Sequence, residues 1–261
     1  MAKRRLDTLL AERGLFESRS RAAAAVIAGD VRVAGRPARK PGELVADEAD
    51  VAVTEAPPFV SRGGVKLANA LDAFGIDPGG RSALDVGAST GGFTDCLLQR
   101  GAARVAAVDV AYGELDWKLR EDPRVAVLER VNARALSPAA LPFAPDLIVA
   151  DLSFISLRKV LPAVLACAAE RFDCLAMVKP QFEVGRERVG KGGVVRDPAL
   201  RREALAAVAE CARSLGASVL GFAASGLPGP AGNLETFAWL AEGGRDGAVE
   251  DVDAVLAGVG A

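Results

Sequence analysis

The chain of 261 residues contains no histidine. That absence excludes Ser-His-Asp triads, Cys-His pairs and His-ligated zinc, and it leaves Lys, Asp, Glu, Tyr or Cys as the general base of any catalysis. Cysteine is scarce as well. Cys96, Cys167, Cys174 and Cys211 form no CxxC or other metal-ligand spacing, so no metal site is expected and buried thiols in a reducing compartment account for them. No run of about 18 apolar residues occurs, which predicts no membrane-spanning helix. The N-terminus, MAKRRLDTLLAERGL, scatters charges through its apolar positions and so lacks the apolar core of a signal peptide. A cytoplasmic location is expected. Aromatic residues make up only 5%, yet 51% hydrophobic and 25% charged residues describe a globular chain.

The net charge of −2 conceals an asymmetry. Residues 1–45 hold ten basic residues against five acidic ones, while the remainder is neutral to acidic. A basic module joined to such a body suggests an appendage that grips a polyanion. Within it, Leu6, Leu9 and Leu10, then Ala23, Ala24, Val26 and Ile27, recur at helical spacing around a break at Gly14-Leu15-Phe16. Ser18 is placed to cap the second helix and Gly29-Asp30 to end it. Val31-Arg32-Val33 and Val51-Ala52-Val53 read as short strands, the first turning at Ala34-Gly35. Helix, turn, helix and small strands among basic residues resemble the RNA-binding domain first described in ribosomal protein S-four. The matching text, R-L-D-x-L-L-x-x-R-G through I-x-x-G-x-V-x-V-x-G, spans residues 5–35.

Pro57-Pro58 marks a linker. Beyond it, strand-like runs at 82–87, 104–109, 125–128, 146–151, 173–178, 217–223 and 234–240 alternate with helical stretches at 91–100, 114–120, 156–169 and 197–215. Alternation of this kind predicts a mostly parallel sheet of seven strands covered on both faces, a Rossmann-like α/β fold carrying a small N-terminal α+β domain. The expected division is 1–55 for the RNA-binding domain, 56–62 for the linker, 63–242 for the catalytic domain and 243–261 for a C-terminal tail, a short helix with a frayed end.

Asp85, Gly87, Ala88, Ser89, Thr90, Gly91, Gly92 and Phe93 lie where the first strand of the sheet turns into its first helix. Glycines there allow close approach of a ligand to the backbone. The spacing G-x-x-x-G-G differs from the G-x-G-x-x-G of dinucleotide binders and argues against NAD. S-adenosylmethionine, which has no pyrophosphate to cradle, suits it. Asp109, followed by Val110, closes the second strand, where a carboxylate can accept hydrogen bonds from two ribose hydroxyls. Asp85 is placed to orient the amino group of the ligand.

Four further polar residues stand where apolar core or plain loop would be expected: Lys66, Asp151 and Lys179 at element boundaries, and Glu235 within the strand-like run 234–240. Carboxyl ends of strands in such a sheet share one crevice, so Asp151 and Lys179 should meet. A ribose 2′-hydroxyl must lose its proton as it attacks a methyl carbon. A lysine can take that proton only if its pKa falls well below about 10.4, as desolvation and a second nearby cation would arrange.

The set Lys66, Asp151, Lys179, Glu235 resembles the K-D-K-E tetrad of the RrmJ/FtsJ-type ribose 2′-O-methyltransferases. The surrounding text resembles the TlyA family more closely, with SRGGVKL, LDVGASTGGFT, VDVAYGELDWKLREDPRV, VADLSFISL, VKPQFEVG, GGVVRDP and LPGPAGNLETF in order across residues 4–240. The resemblance implies methylation of cytidine ribose in ribosomal RNA of the 16S and 23S kinds, with ribosomal RNA or subunits as partner. Members are often labelled hemolysins, but no sequence feature supports pore formation. The linker Glu55–Val60 departs most from the family pattern. Expected RNA contacts are Arg4, Arg5, Arg19, Ser20, Arg21, Arg36 and Lys40, then Arg62, then Arg186, Arg188 and Lys191 in a glycine-rich loop over 185–196. Phe154 is either a stacking platform for a flipped base or core; Tyr112 and Trp117 either line the adenine pocket or pack. The chain is expected to act as a monomer. Two rival readings are a base-directed methyltransferase and a non-catalytic RNA-binding assembly factor. The first lacks the N/D-P-P-Y/F motif after the fourth strand, and the second leaves the four converging charges unexplained.

Overall fold

The leucines of the N-terminal segment fold as their spacing dictates. In a computed structural model describing residues 3–53 and 58–258, Leu6, Leu9 and Leu10 are buried on a short helix. Met1–Pro58 and Phe59–Ala261 form two separate compact units. The first contains β1 (Lys3–Arg5), α1 (Leu6–Glu12), α2 (Arg19–Ala28), β2 (Val31–Val33), β3 (Arg36–Pro37), β4 (Leu44–Ala46) and β5 (Val51–Val53). β1 pairs with β4, and β3-β2-β5 form a three-stranded antiparallel sheet. The Ser18 side chain accepts from the Arg21 N–H, satisfying one of the unpaired donors at the start of α2. Gly29 ends that helix at φ +87°, a left-handed turn that glycine adopts without a Cβ penalty.

The buried face of α2 differs from the expected one. Ala22 and Val26 pack on Leu6, Leu10, Val31 and Val45, whereas Ile27 is 77% exposed. A run of four alanines is small and apolar on every side, so the sequence leaves the helix's rotation undetermined. Ala22 and Val26, four residues apart, lie on one face of the helix, and that face is the buried one.

The second unit holds α3 (Arg62–Phe74), β6 (Ser82–Val86), α4 (Gly92–Gln99), β7 (Arg104–Val108), α5 (Trp117–Arg120), β8 (Val125–Leu128), β9 (Leu147–Ala150), α6 (Leu161–Leu165), β10 (Asp173–Val178), α7 (Pro180–Glu183), α8 (Pro198–Ser214), β11 (Ser218–Ala224), β12 (Thr236–Ala241) and α9 (Val252–Gly258). Its seven strands lie in the order β11-β12-β10-β9-β6-β7-β8, parallel except for β12, which runs antiparallel to both neighbours. Alternate side chains of each strand enter different layers, the period of two that a sheet requires. Leu84, Val86, Ile148, Ala150, Cys174 and Ala176 join the core beneath α6 and α8. Ala83, Leu147, Val149, Leu175 and Met177 join the one beneath α3 and α4. Among the described residues, no helix is long and apolar enough to cross a membrane.

Strand order reverses between β6 and β9, and a crevice opens beyond the carboxyl ends of strands at such a switch point. Several elements differ from their sequence reading there. α3 was not foreseen, although Leu67, Ala70 and Leu71 are buried along it and Gly75 caps it in the left-handed region. The stretch 156–169 breaks into a 3-10 turn over Leu157–Lys159 and the short α6, because Pro162 tolerates only a first-turn position. Glu235 precedes β12 rather than lying within a strand. The short helix expected after residue 243 is α9, and its Val252 and Leu256 enter the core. Of the expected linker, Glu55–Pro57 lie outside the described residues. Its latter half belongs to the second unit: Phe59 and Val60 pack against the α3–α4 core, and Val60 N–H donates to Asp95 Oδ2 at 2.8 Å.

Candidate active site

The turn after β6 is built so that two loops can touch. Gly87 has φ +88°, and a Cβ there would stand 2.4 Å from the Asp151 carbonyl oxygen. Gly91 has φ +94°, with its missing Cβ 2.3 Å from the Leu119 side chain, and a Cβ on Gly92 would strike Ser61 Oγ at 2.1 Å. Contact therefore favours glycine at all three positions, and torsion requires it at Gly87 and Gly91. Ser89, also at positive φ (48°), donates its N–H to Asp109 Oδ2 at 2.7 Å, and Ala111 N–H donates to Oδ1 at 2.8 Å. Asp109 thus locks the glycine loop to the end of β7. A carboxylate has about four acceptor positions, so two remain for a ligand.

Asp85 is the sole charged residue within β6 and is fully buried. Thr94 Oγ1 on α4 donates to its Oδ2 at 2.7 Å, while its buried Oδ1 has no partner. Burial pushes this carboxyl up to about 7, against the opposing Thr94 hydrogen bond. An orphaned carboxylate oxygen behind the loop fits the amino group of S-adenosylmethionine, and the glycine cradle fits a ligand pressed against backbone. The exposed Val110 lines a cavity of about 530 Å³ together with Gly87, Ser89, Asp109 and Phe154.

The four catalytic candidates form two ion pairs. Lys66, on α3, bonds Glu235 across the unit, with side chains only 8% and 1% exposed. Lys179, at the end of β10, lies 2.5 Å from Asp151 Oδ1 and directs a hydrogen bond to Ser153 Oγ at 3.0 Å. Both pairs line one cavity of about 370 Å³ with Ala88, Ser89, Thr90, Gly92, Phe93, Pro228 and Pro230. Phe93 is otherwise core, tilted against Phe237 with ring centroids 5.9 Å apart.

Sequence reasoning passed over the supports of this arrangement. Glu183 of α7 is buried and accepts from Ser156 Oγ at 2.6 Å and Leu157 N–H at 2.7 Å, tying the 153–158 segment to the end of β10. Thr94, Ser153 and Glu183 stand inside motifs already quoted, but only their contacts distinguish them from ordinary polar residues. The open choices resolve toward exposure. Phe154 is 92% exposed at φ +66°, its ring 5.5 Å from that of Phe182. Tyr112 lies under the Arg130 guanidinium at 4.3 Å, and neither it nor Trp117 lines the cavity beside Asp109. Burial pushes the Cys96 and Cys174 thiols up to about 12, as inert core cysteines require.

The basic candidates separate into paired and unpaired side chains. Arg5 and Arg19 both bond the buried Asp7, at 2.7 and 3.2 Å. Their hydrogen bonds hold its carboxyl well below the usual range, the Arg5 bond contributing most. Arg4 joins Glu12 and Asp47, Arg21 joins Glu17, and Arg188 joins Glu203. Arg62 donates to the Pro228 carbonyl at 3.1 Å. Arg36, Lys40, Arg186 and Lys191 are exposed and make no ion pair among the described residues, and Ser20 is exposed on α2. The loop carrying Arg186, Arg188 and Lys191 is anchored at its far end, because Val195 is buried and its N–H bonds Asn233 Oδ1.

Residues 59–242 match the FtsJ-like methyltransferase family, and residues 4–51 match the S4 domain. The 16S/23S rRNA (cytidine-2'-O)-methyltransferase TlyA of Mycobacterium tuberculosis is 56% identical over 243 residues, covering 92% of this chain and 91% of that protein. Hemolysin A of Brachyspira hyodysenteriae is 37% identical over 239 residues, 90% of this chain and 98% of the other. A solved structure from Streptococcus thermophilus, described as a hemolysin, has a TM-score of 0.73 at 39% identity and covers 99% and 96% of the two chains.

Proposed function

Because the chain belongs to the TlyA family of FtsJ-like methyltransferases, we propose that it methylates the ribose 2′-hydroxyl of a cytidine in ribosomal RNA, in the cytoplasm. The observation that carries this reading is the pair of lysine–carboxylate contacts, Lys179–Asp151 and Lys66–Glu235, on one cavity beside the glycine loop. S-adenosylmethionine, when bound, supplies an electrophilic methyl group on a positively charged sulfur. Gly87 to Phe93 would hold it by backbone, Asp109 by its ribose hydroxyls, Asp85 by its amino group and Val110 by apolar contact.

The remaining chemistry belongs to side chains of this chain. Lys179 Nζ, once it has given up its own proton and is a neutral amine, accepts the 2′-hydroxyl proton, and Asp151 and Ser153 aim it at that oxygen. Lys66, held by buried Glu235, places a fixed positive charge across the cavity, where it steadies the oxygen as its proton departs. In-line placement of the hydroxyl accounts for most of the remaining acceleration. Arg36 and Lys40 of the first unit, and Arg186 and Lys191 of the second, exposed and without an ion pair among the described residues, contact phosphate. Arg4, Arg5, Arg19, Ser20, Arg21, Arg62 and Arg188 shape and extend those surfaces.

Incubation with tritiated S-adenosylmethionine and separated small and large ribosomal subunits, followed by digestion to nucleosides, tests the reading. Label in 2′-O-methylcytidine is expected. Label on a base would remove the tetrad mechanism.

A further inference from the structure

Asn233 is 1% exposed, and a buried amide is costly unless its polar atoms are bonded. Its Nδ2 donates to the Gly193 carbonyl at 2.8 Å, and its Oδ1 accepts from Val195 N–H at 2.9 Å. Bonding the C=O of one residue and the N–H two positions on is how a neighbouring parallel strand would pair. The side chain therefore serves as a one-residue strand for the end of the basic loop. Gly192 and Gly193, both at positive φ, turn that loop just before the clamp, and Lys191 stands exposed next to the turn.

The same residue borders the catalytic set. The Asn233 carbonyl accepts from Gly229 N–H at 2.8 Å, closing the turn that runs through Pro230. A Cβ on Gly229 would stand 2.4 Å from Glu235 Oε1, so this turn wraps the carboxylate that holds Lys66. Pro228 and Pro230 line the catalytic cavity. Leu234, between Asn233 and Glu235, is 48% exposed and gives no anchor. The position of Glu235 is thus set from one side by the Asn233 clamp.

We propose that Asn233 is a positioning residue coupling the cationic loop 186–196 to Glu235, so that RNA phosphate seated on the loop fixes the Lys66–Glu235 pair. The inference rests on the ribose-methylation reading above. Its test uses the full chain with ribosomal subunits as the RNA probe, comparing wild type, Asn233→Leu, Lys191→Ala and the double variant. Asn233→Leu keeps the volume and removes the amide. It should lower kcat and raise KM for subunits by about ten-fold each, the scale of coupling between groups in one network, with cofactor Kd changed less than about two-fold. In the wild-type background Lys191→Ala should affect both kcat and KM; in the Asn233→Leu background it should affect KM alone. An equal effect of Lys191→Ala on kcat in both backgrounds overturns the coupling, as does an unchanged kcat in Asn233→Leu.

If Asn233→Leu fails to bind cofactor, Asn233→Asp carries the same comparison, since it keeps the acceptor for Val195 and sets an oxygen against the Gly193 carbonyl. If the wild type methylates neither subunit, the ribose-methylation reading falls, and amide hydrogen exchange decides the coupling alone. Joint acceleration over 190–195 and 229–235 in Asn233→Asp sustains it, and acceleration confined to the first segment removes it.

Discussion

Gly87 and Asp151 meet backbone to side-chain vacancy: where Gly87 lacks a Cβ, the Asp151 carbonyl oxygen fills the place at 2.4 Å. The glycine loop and the strand end that carries the Asp151 carboxylate are therefore one packed unit. Gly87→Ala should push them apart and force a left-handed torsion costing about 1–2 kcal/mol besides the clash. Calorimetry should show cofactor binding lost, and the melting temperature should fall.

The two ion pairs should respond differently to truncation. Lys66→Ala leaves the Glu235 carboxylate, 1% exposed, without its partner. Breaking a buried pair on one side costs about 3–5 kcal/mol, so denaturant unfolding should show a large loss of stability along with activity. Asp151 in the other pair is 25% exposed. Lys179→Ala should keep most of the stability and cofactor affinity while methyl transfer falls by about 100-fold or more, the range for removing a general base. Residual activity near wild type would take the base role from Lys179.

Asp85 should make both stability and cofactor binding pH-dependent, in opposite senses. Its folded value, about 7, lies above the ordinary 3.8. The stability tied to its proton is full below the ordinary carboxylate range, declines as pH rises toward 7 and is absent above it. A carboxylate that holds an ammonium group must be ionised, so cofactor affinity should rise with pH through the same region. Asp85→Asn should flatten the melting-temperature profile of the free protein and weaken the cofactor chiefly above pH 7, where the wild-type carboxylate is ionised; an unchanged profile would show that Asp85 is not the titrating group.

The arginines around Asp7 should behave as structure, and the unpaired cations as grip. Arg5→Ala and Asp7→Asn should destabilise the first unit, because Asp7 is buried with Arg5 and Arg19 as its partners. The Asp7 contribution is present above the ordinary carboxylate range and disappears as pH falls through its depressed folded value. Arg36→Ala and Lys40→Ala should leave stability unchanged, weaken RNA binding and each reduce the salt slope of log affinity by about 1. Equal slopes in wild type and Lys40→Ala would remove Lys40 from the contact.

Much of this architecture can be read in the sequence because buried parallel strands write continuous apolar runs, as in Leu147–Ala150, and because a charge at the end of such a run has few structural reasons to be there. Asp151 and Lys179 are legible for that reason. α3 is harder to see, since its start, Arg62-Gly63-Gly64, has the composition of a loop; Gly64 serves close packing, with a Cβ there only 2.4 Å from Phe59. The rotation of α2 is hidden by its alanines. Salt bridges such as Arg5–Asp7 and clamps such as Asn233 depend on contacts that spacing does not encode, and the basic residues of 1–45 look alike until their partners are known.

β12 is inserted between β10 and β11 although it follows both in the chain. Glu235 sits just ahead of that strand, so the proposed catalytic set takes its fourth member from a segment held between two strands that precede it in the sequence. On the proposed mechanism, turnover therefore requires the β10–β12 pairing to be in place.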